Sequence, residues 1–294
     1  MVTLQYKKFF IFQIMLLITI FIIVGLFIFF SKYHELNSLN QLLYNLQINK
    51  IKNQKFETII IGDSTAGNAI DANYYSFLSS KKTGNLALTG SLSEAGLAIL
   101  EKSSKEKLKN VIIMSDLDIW MRNPKSGYDF FIREYNNYDN FFYHYYKNLN
   151  LSDIIRISRM YLEKFIIKKK IISIHNDYIK QDIRIKNNIK YNFYSENLKV
   201  GKFKFIKEIF EYCKKEGIYC THVNGPIIKR FCNNLNFKSY VSSIYKQFDL
   251  IKINYKKTIL CLEDDEYGDD KSHIAPQKKI LFTKKYFDIL NLNN

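Results

Sequence analysis

The hydrophobic and polar positions divide this chain into one long apolar run and a region where short apolar runs alternate with amphipathic ones. The long run, Phe9 to Phe30, carries no charged residue, and as a helix it reaches about 33 Å. This length exceeds the roughly 30 Å hydrocarbon core of a bilayer. The run is too long for a signal-peptide core, and no small-residue cleavage site closes it. The pattern therefore predicts an uncleaved transmembrane helix over 9–30, with a cleaved signal peptide as the alternative.

Charges beside this run predict its orientation. Lys7 and Lys8 favour a cytoplasmic N-terminus over residues 1–8, whereas Lys32 and the basic stretch from Lys50 to Lys55 weaken the asymmetry. We expect a single-pass protein of the inner (cytoplasmic) membrane, with its large domain periplasmic or extracellular. We expect residues 31–55 to form a polar, partly helical stalk with leucines on one helix face, at Leu39, Leu42, Leu43 and Leu46.

The pattern beyond the stalk predicts one domain over 56–294. Short apolar runs bounded by turn residues predict buried strands, and amphipathic runs between them predict helices. This alternation is typical of an α/β fold, a three-layer open parallel sheet with helices on both faces. The predicted strands are Glu57–Gly62, Gly84–Leu88, Asn110–Met114, Gly217–Val223 and Lys257–Leu262. The predicted helices are Ser91–Lys107, Lys202–Lys215 and Pro276–Leu290.

Residues 118–200 interrupt the alternation and predict a helical insertion. Their first part, Tyr128 to Tyr146, is dense in aromatic residues, and Leu151 to Lys170 has an amphipathic pattern. We interpret the insertion as a helical subdomain with an aromatic core. A lid or wall over a substrate is the alternative, since aromatic faces suit sugar rings and acyl chains.

The net charge of +16 comes from 44 Lys and Arg against 28 Asp and Glu. These basic residues are scattered, so we interpret them as a solvated basic surface and expect no nucleic-acid partner. Attraction to anionic lipid headgroups or to an acidic polysaccharide is the second reading. The four cysteines have no metal-ligand spacing, which argues against a zinc site. Cys220 and Cys261 lie in predicted neighbouring strands and are the preferred disulfide pair, whereas four free thiols, with Cys213 and Cys232, are the alternative.

Two segments carry the residues that would do chemistry. Ser64 follows the first predicted strand in Gly62-Asp63-Ser64, where the start of the next helix offers N–H groups to an oxyanion. Asp270 and His273 lie three residues apart after the last predicted strand, so the carboxylate can orient the ring while its other nitrogen faces Ser64. The alternatives are helix capping by the Asp residues and a surface His273. His222, also near a strand end, is interpreted as a packed residue.

These segments resemble the SGNH (GDSL-like) hydrolase superfamily, which has a Gly-Asp-Ser block after its first strand and an Asp-x-x-His block near its end. Asn85 to Ser91 is similar to the second block, which implies that the N–H groups of Gly90 and Ser64 form the oxyanion hole. The resemblance implies a flavodoxin-like sheet over about Glu57 to Leu290. The third block departs from the family pattern, because Ser115-Asp116-Leu117-Asp118 replaces Gly-x-Asn-Asp. One hydrogen-bond donor of the oxyanion hole is then missing or is supplied by another residue, for instance Asn123.

With its apolar anchor, the chain is similar to divergent members that act in alginate acetylation and D-alanyl transfer to teichoic acid. This resemblance implies an acyl-Ser64 enzyme that transfers or removes an O-acyl group on an envelope polysaccharide. A multispanning membrane O-acyltransferase is the implied partner, and no cofactor or metal is expected. The alternative function, motivated by the missing asparagine, is a non-catalytic scaffold or polysaccharide-binding subunit.

Overall fold

The computed structural model describes residues 2–31, 39–88, 93–117, 204–268 and 272–291. The predicted insertion at 118–200 lies outside these residues. Elements are numbered in chain order among the described residues. The helices are α1 (Val2–Ser31), α2 (Leu39–Asn53), α3 (Ser64–Ala69), α4 (Ala72–Ser79), α5 (Ser93–Glu101), α6 (Lys204–Lys215), α7 (Lys229–Cys232), α8 (Leu235–Leu250) and α9 (Lys279–Asn291), with a 3₁₀ turn at Pro276–Lys278. The strands are β1 (Thr58–Gly62), β2 (Thr83–Asn85), β3 (Asn110–Ser115), β4 (Tyr219–Asn224), β5 (Ile227–Ile228), β6 (Tyr255–Lys256) and β7 (Cys261–Leu262).

Five of the strands form one parallel sheet in the order β2-β1-β3-β4-β6. This is the flavodoxin-like order 2-1-3-4-5 of doubly wound folds. Helices cover both faces, because successive residues of β1 enter different clusters: Ile59 and Ile61 pack in one, and Ile60 packs in the other. Helices α2, α5, α6 and α8 contribute to the first cluster, and α3, α4 and α9 contribute to the second. The predicted three-layer α/β fold is confirmed.

The first helix, α1, is the one helix in the described part of the chain that is long and apolar enough to cross a membrane. The stretch Tyr6–Ile23 has a mean hydropathy of 1.9, and none of it is buried. Signal anchors and signal sequences share these properties.

The second helix, α2, packs on the domain through its second half. Gln47, Ile48 and Ile51 are buried. The Gln47 amide donates to the carbonyl oxygen of Ala87 at 2.8 Å, and Lys50 Nζ donates to that of Asn85 at 3.5 Å. The later residue of α2, Lys50, contacts the earlier residue of the β2 segment, Asn85, and Gln47 contacts Ala87. The helix and the β2 segment therefore run antiparallel. The first residues of α2 therefore lie toward the carboxyl-terminal edge of the sheet.

The predicted disulfide is wrong, because Cys261 bonds to Cys232 and not to Cys220. In this part of the chain, the strand that pairs with β4 is β6. The chain then leaves the main sheet, and Cys261 begins β7, which pairs with β5 in a separate two-stranded sheet. This places Cys261 beyond the end of β4 and beside α7. Cys220 stays in the core as a free thiol next to Cys213, and the alternative of four free thiols is wrong as well.

Candidate active site

Ser64 begins α3 directly after the buried strand β1. The strand ends at Gly62, which has a φ of +153°. Gly62 lies so close to β3 that there is no room for a side chain, because a Cβ there would lie 1.7 Å from the carbonyl oxygen of Met114. This close approach turns the chain sharply at the carboxyl-terminal edge of the sheet. Asp63 then caps α3 by accepting from the Thr65 N–H, and Ser64 is left half-buried at the surface.

His273 lies against Ser64 although 209 residues separate them. The distance between His273 Nε2 and Ser64 Oγ is 2.9 Å, and the imidazole residue is 7% exposed. Its loop is held by the Gly268 N–H, which donates to the His273 carbonyl at 2.7 Å, and by an antiparallel bridge between Tyr267 and Ile274. The structure thus brings together the two residues that the sequence places at opposite ends of the domain. A serine hydroxyl in hydrogen-bond contact with imidazole is the arrangement of an activated nucleophile.

Several residues named from the sequence lie outside the described part of the chain. Asp270 and Gly90 are the most important of them, and their roles in orienting His273 and in binding an oxyanion stay predictions. Asp118 and Asn123 also lie there.

Four buried residues near Ser64 form a ring of hydrogen bonds that joins side chains and backbone N–H groups: Asp63, Thr65, Asp116 and Ser272. The carboxylate of Asp63 accepts from the backbone N–H of Thr65 at 2.9 Å and from that of Asp116 at 3.0 Å. The Ser272 hydroxyl donates to Asp116 Oδ2 at 2.8 Å and accepts from the Thr65 hydroxyl at 3.3 Å. The ring therefore ties together the loops that follow β1 and β3 and the loop that carries His273.

Sequence reasoning missed Thr65 and Ser272 and named Asp116 only as part of the divergent third block. The available signal was their adjacency, since Asp63 and Thr65 flank Ser64 and Ser272 precedes His273. The third sequence block lies beside the ring and in the core. The Asp116 side chain is directed into the ring, and Leu117 is 1% exposed in the core. Its carbonyl accepts from the Tyr240 hydroxyl at 2.6 Å.

This arrangement raises the pKa of the Asp63 carboxyl group. Burial raises its pKa from 3.8 to about 6, and the nearby Asp116 carboxylate acts in the same direction. Hydrogen bonds from the backbone N–H groups of Asp116 and Thr65 favour the ionised form and oppose this shift.

The raised pKa of Asp63 predicts a pH-dependent stability. Because the folded state binds this proton more tightly, the stability that it contributes is present below pH 3.8 and is lost as the pH rises through about 6. Between pH 4 and 7.5, the wild type should therefore lose unfolding free energy relative to Asp63→Asn, on the order of 2 kcal/mol. Denaturant unfolding of both proteins at the two pH values measures this difference, and parallel pH profiles would contradict it.

The segment leading to Gly90 is fixed by Asn85. Its buried amide donates to the carbonyl oxygens of Ala66 at 3.0 Å and Ile70 at 2.9 Å, and its Oδ1 accepts from the Ala87 N–H at 3.2 Å. These bonds connect the end of β2 to α3, the helix that carries Ser64. The second sequence block and the nucleophile block are therefore in direct contact.

His222 lies in the core and not in the cleft. The ring is fully buried and packs edge-on against Phe248, with centroids 4.9 Å apart. Burial lowers the pKa of His222 to about 3, so it is neutral near pH 7. Among the described residues, no three His, Cys, Asp or Glu side chains come together in a way that would hold a metal ion.

Comparisons with known proteins give distant structural likenesses. No protein-family model and no curated protein matches the chain. The crystal structure of TesA is similar with a TM-score of 0.40 and 10% identity, over 80% of this chain and 98% of that one. A "putative lipolytic protein of G-D-S-L family" from Desulfitobacterium hafniense DCB-2 gives a TM-score of 0.36 and 10% identity, over 79% and 99%. Phospholipase A1 from Streptomyces albidoflavus NA297 gives 0.38 and 9%, over 82% and 100%.

Proposed function

We propose that this protein is a membrane-anchored serine acyl-ester enzyme that transfers or removes an O-acyl group, such as acetyl, on a cell-envelope polysaccharide. The observation that carries the chemistry is the 2.9 Å contact between Ser64 Oγ and His273 Nε2. It joins the residue types of nucleophilic acyl transfer at the carboxyl-terminal edge of a parallel sheet, where such folds place their sites.

In the proposed reaction, Ser64 Oγ attacks the ester carbonyl while His273 Nε2 takes the hydroxyl proton. Asp270 orients the imidazole and stabilises its charged form, and the N–H groups of Ser64 and Gly90 stabilise the oxyanion. The leaving alcohol departs with the proton from His273, and an acyl-Ser64 ester remains. Water or a sugar hydroxyl then attacks this ester while His273 takes its proton. The Ser64 Oγ–acyl bond breaks, the acyl group leaves as the free acid or as the new sugar ester, and His273 returns the proton to Ser64 Oγ. No metal or redox group takes part in these steps.

The cellular setting is inferred from the first helix and the disulfide. A helix with the length and hydropathy of α1 is suited to anchor the domain in the inner membrane, with the catalytic domain outside the cytoplasm. The Cys232–Cys261 disulfide is consistent with an oxidising compartment. Tethering raises the effective concentration of a membrane-held acyl donor, which favours transfer and a multispanning O-acyltransferase as partner.

The test is covalent labelling of the full-length protein in detergent micelles with a fluorophosphonate. Labelling at Ser64, mapped by mass spectrometry, is expected for the wild type and should be absent in His273→Ala and in heat-denatured protein. Labelling identifies an activated serine and does not depend on knowing the acyl group.

A folded wild-type protein that takes no label would overturn the catalytic proposal and favour the scaffold. The buried Leu117 at the position of the family asparagine is the observation that keeps the scaffold in view. In that case, Ser64→Ala would leave the modification of the polysaccharide in cells unchanged.

A further inference from the structure

Two sets of contacts hold the loop that carries His273. Its base is closed by the Gly268 N–H, which donates to the His273 carbonyl, and by the bridge between Tyr267 and Ile274. The side chain of Ser272 links the loop to the loops after β3 and β1, through Asp116 and Thr65. Ser272 and His273 are adjacent, so a shift of the first displaces the second.

The ring has the burial that a precise attachment requires. Thr65 and Ser272 are each 1% exposed, and Asp63 and Asp116 are each 5% exposed. Water therefore competes little for these hydrogen bonds, and a buried polar group that loses its partner costs about 1–3 kcal/mol. The hydroxyl of Ser272 donates to a carboxylate oxygen of Asp116, and such a charge-assisted bond is stronger than one between neutral groups. It links the His273 loop to the end of β3.

The ring also fixes the nucleophile. Its members Asp63 and Thr65 flank Ser64, so one closed set of hydrogen bonds holds the neighbours of both reacting side chains. General-base catalysis requires the two atoms to stay within about 2.6–3.2 Å of each other. A displacement of about 1 Å costs about 100-fold in rate.

We propose that Ser272 is a positioning residue, whose hydroxyl, held between Thr65 and Asp116, keeps His273 Nε2 within hydrogen-bond distance of Ser64 Oγ. This inference rests on the proposed function and adds a residue that acts through His273 and does not touch the substrate. It also gives the acidic third block of this chain a role, since Asp116 supplies the acceptor.

The experiment uses full-length protein in detergent micelles and p-nitrophenyl acetate as a soluble ester. Ser272→Ala should lower kcat about 10- to 100-fold and leave KM within about threefold, because the substrate contacts remain and only the alignment changes. The rate of fluorophosphonate labelling at Ser64 should fall by the same factor.

Ser103→Ala is the matched control. Ser103 is also buried, at 9% exposure, and donates one hydrogen bond of 2.8 Å, to the Ile99 carbonyl at the end of α5, away from Ser64. It should lower the unfolding midpoint without changing kcat. If both variants lose kcat in proportion to their lost stability, Ser272 is only structural and the inference is overturned.

Thr65→Val supplies a second variant if Ser272→Ala does not fold. It removes the other hydroxyl bonded to Ser272, so kcat should fall in the same direction, by a smaller factor because the 3.3 Å bond is longer. An unchanged kcat in either folded variant overturns the inference while an active wild type keeps the proposed function. A wild type that neither takes label nor cleaves the ester overturns both.

Discussion

Replacing Ser64 by alanine is expected to lower kcat for ester cleavage by about 10⁴-fold or more. The variant loses the oxygen that forms the acyl-enzyme, and no other described side chain is hydrogen-bonded to His273 Nε2 in its place. His273→Ala should produce a loss of similar size. Because the two residues act as one unit, the double variant should be no less active than the worse single variant. Steady-state hydrolysis of p-nitrophenyl acetate by the four proteins measures this.

The same variants must remain folded for this result to report on chemistry. Ser64 is half-buried, and the bond that the Asn68 amide donates at 2.8 Å goes to the Ser64 backbone carbonyl, which the substitution leaves in place. The unfolding free energy of Ser64→Ala should therefore stay within about 1 kcal/mol of the wild type. A folded Ser64→Ala protein with wild-type turnover would contradict the proposed nucleophile.

Replacing Gly62 by alanine is expected to destabilise the fold by more than about 4 kcal/mol, or to prevent folding. The new Cβ would lie 1.7 Å from the Met114 carbonyl oxygen and 2.9 Å from its carbon. These are backbone atoms of β3, which pairs with β1 and β4 and cannot move away without breaking the centre of the sheet. Denaturant unfolding followed by circular dichroism measures the change.

Gly217→Ala separates this clash from the cost of the backbone conformation. Gly217 has a φ of +68°, yet nothing lies within 4 Å of where its Cβ would be. Its replacement should cost only about 1–2 kcal/mol. If Gly62→Ala and Gly217→Ala lowered the free energy of unfolding equally, close packing against β3 would not be the reason for glycine at position 62.

The sequence predicts the central sheet well, because strands covered on both faces appear as uninterrupted apolar runs. The runs at Glu57–Gly62 and Asn110–Met114 correspond to β1 and β3 within one residue at each end. The meeting of Ser64 and His273 is also predictable, since both follow predicted strands of one parallel sheet and face its carboxyl-terminal edge.

Other features depend on contacts that local patterns do not contain. The run Lys257–Leu262 predicts one strand of the main sheet, whereas the segment that pairs with β4 is Tyr255–Lys256, just before this run. Only the end of the run, Cys261–Leu262, forms a strand, and it pairs with β5 in the separate sheet. That single departure exchanges the disulfide partner of Cys261. The ring also cannot be predicted from the local sequence, because Ser272 makes its hydrogen bonds only where three loops meet.

Helix α8 was missed even though its sequence carries a signal. Its buried residues recur at helical spacing, at Phe237, Tyr240, Val241, Ile244 and Phe248. Asn234 caps the helix by accepting from two backbone N–H groups. A count of matches to the helical template would have placed this element before the last strands.

The packing of α2 decides where the domain can be cut away from α1. Removing the whole polar segment up to residue 55 would delete Gln47, Ile48 and Ile51, uncover apolar surface and deprive the Ala87 carbonyl of the amide that donates to it. Removing only the residues before Leu39 keeps all of these contacts. A form of the domain without α1 should therefore begin after Ser31 and no later than Leu39, inside the stretch whose polarity resembles that of a dispensable spacer.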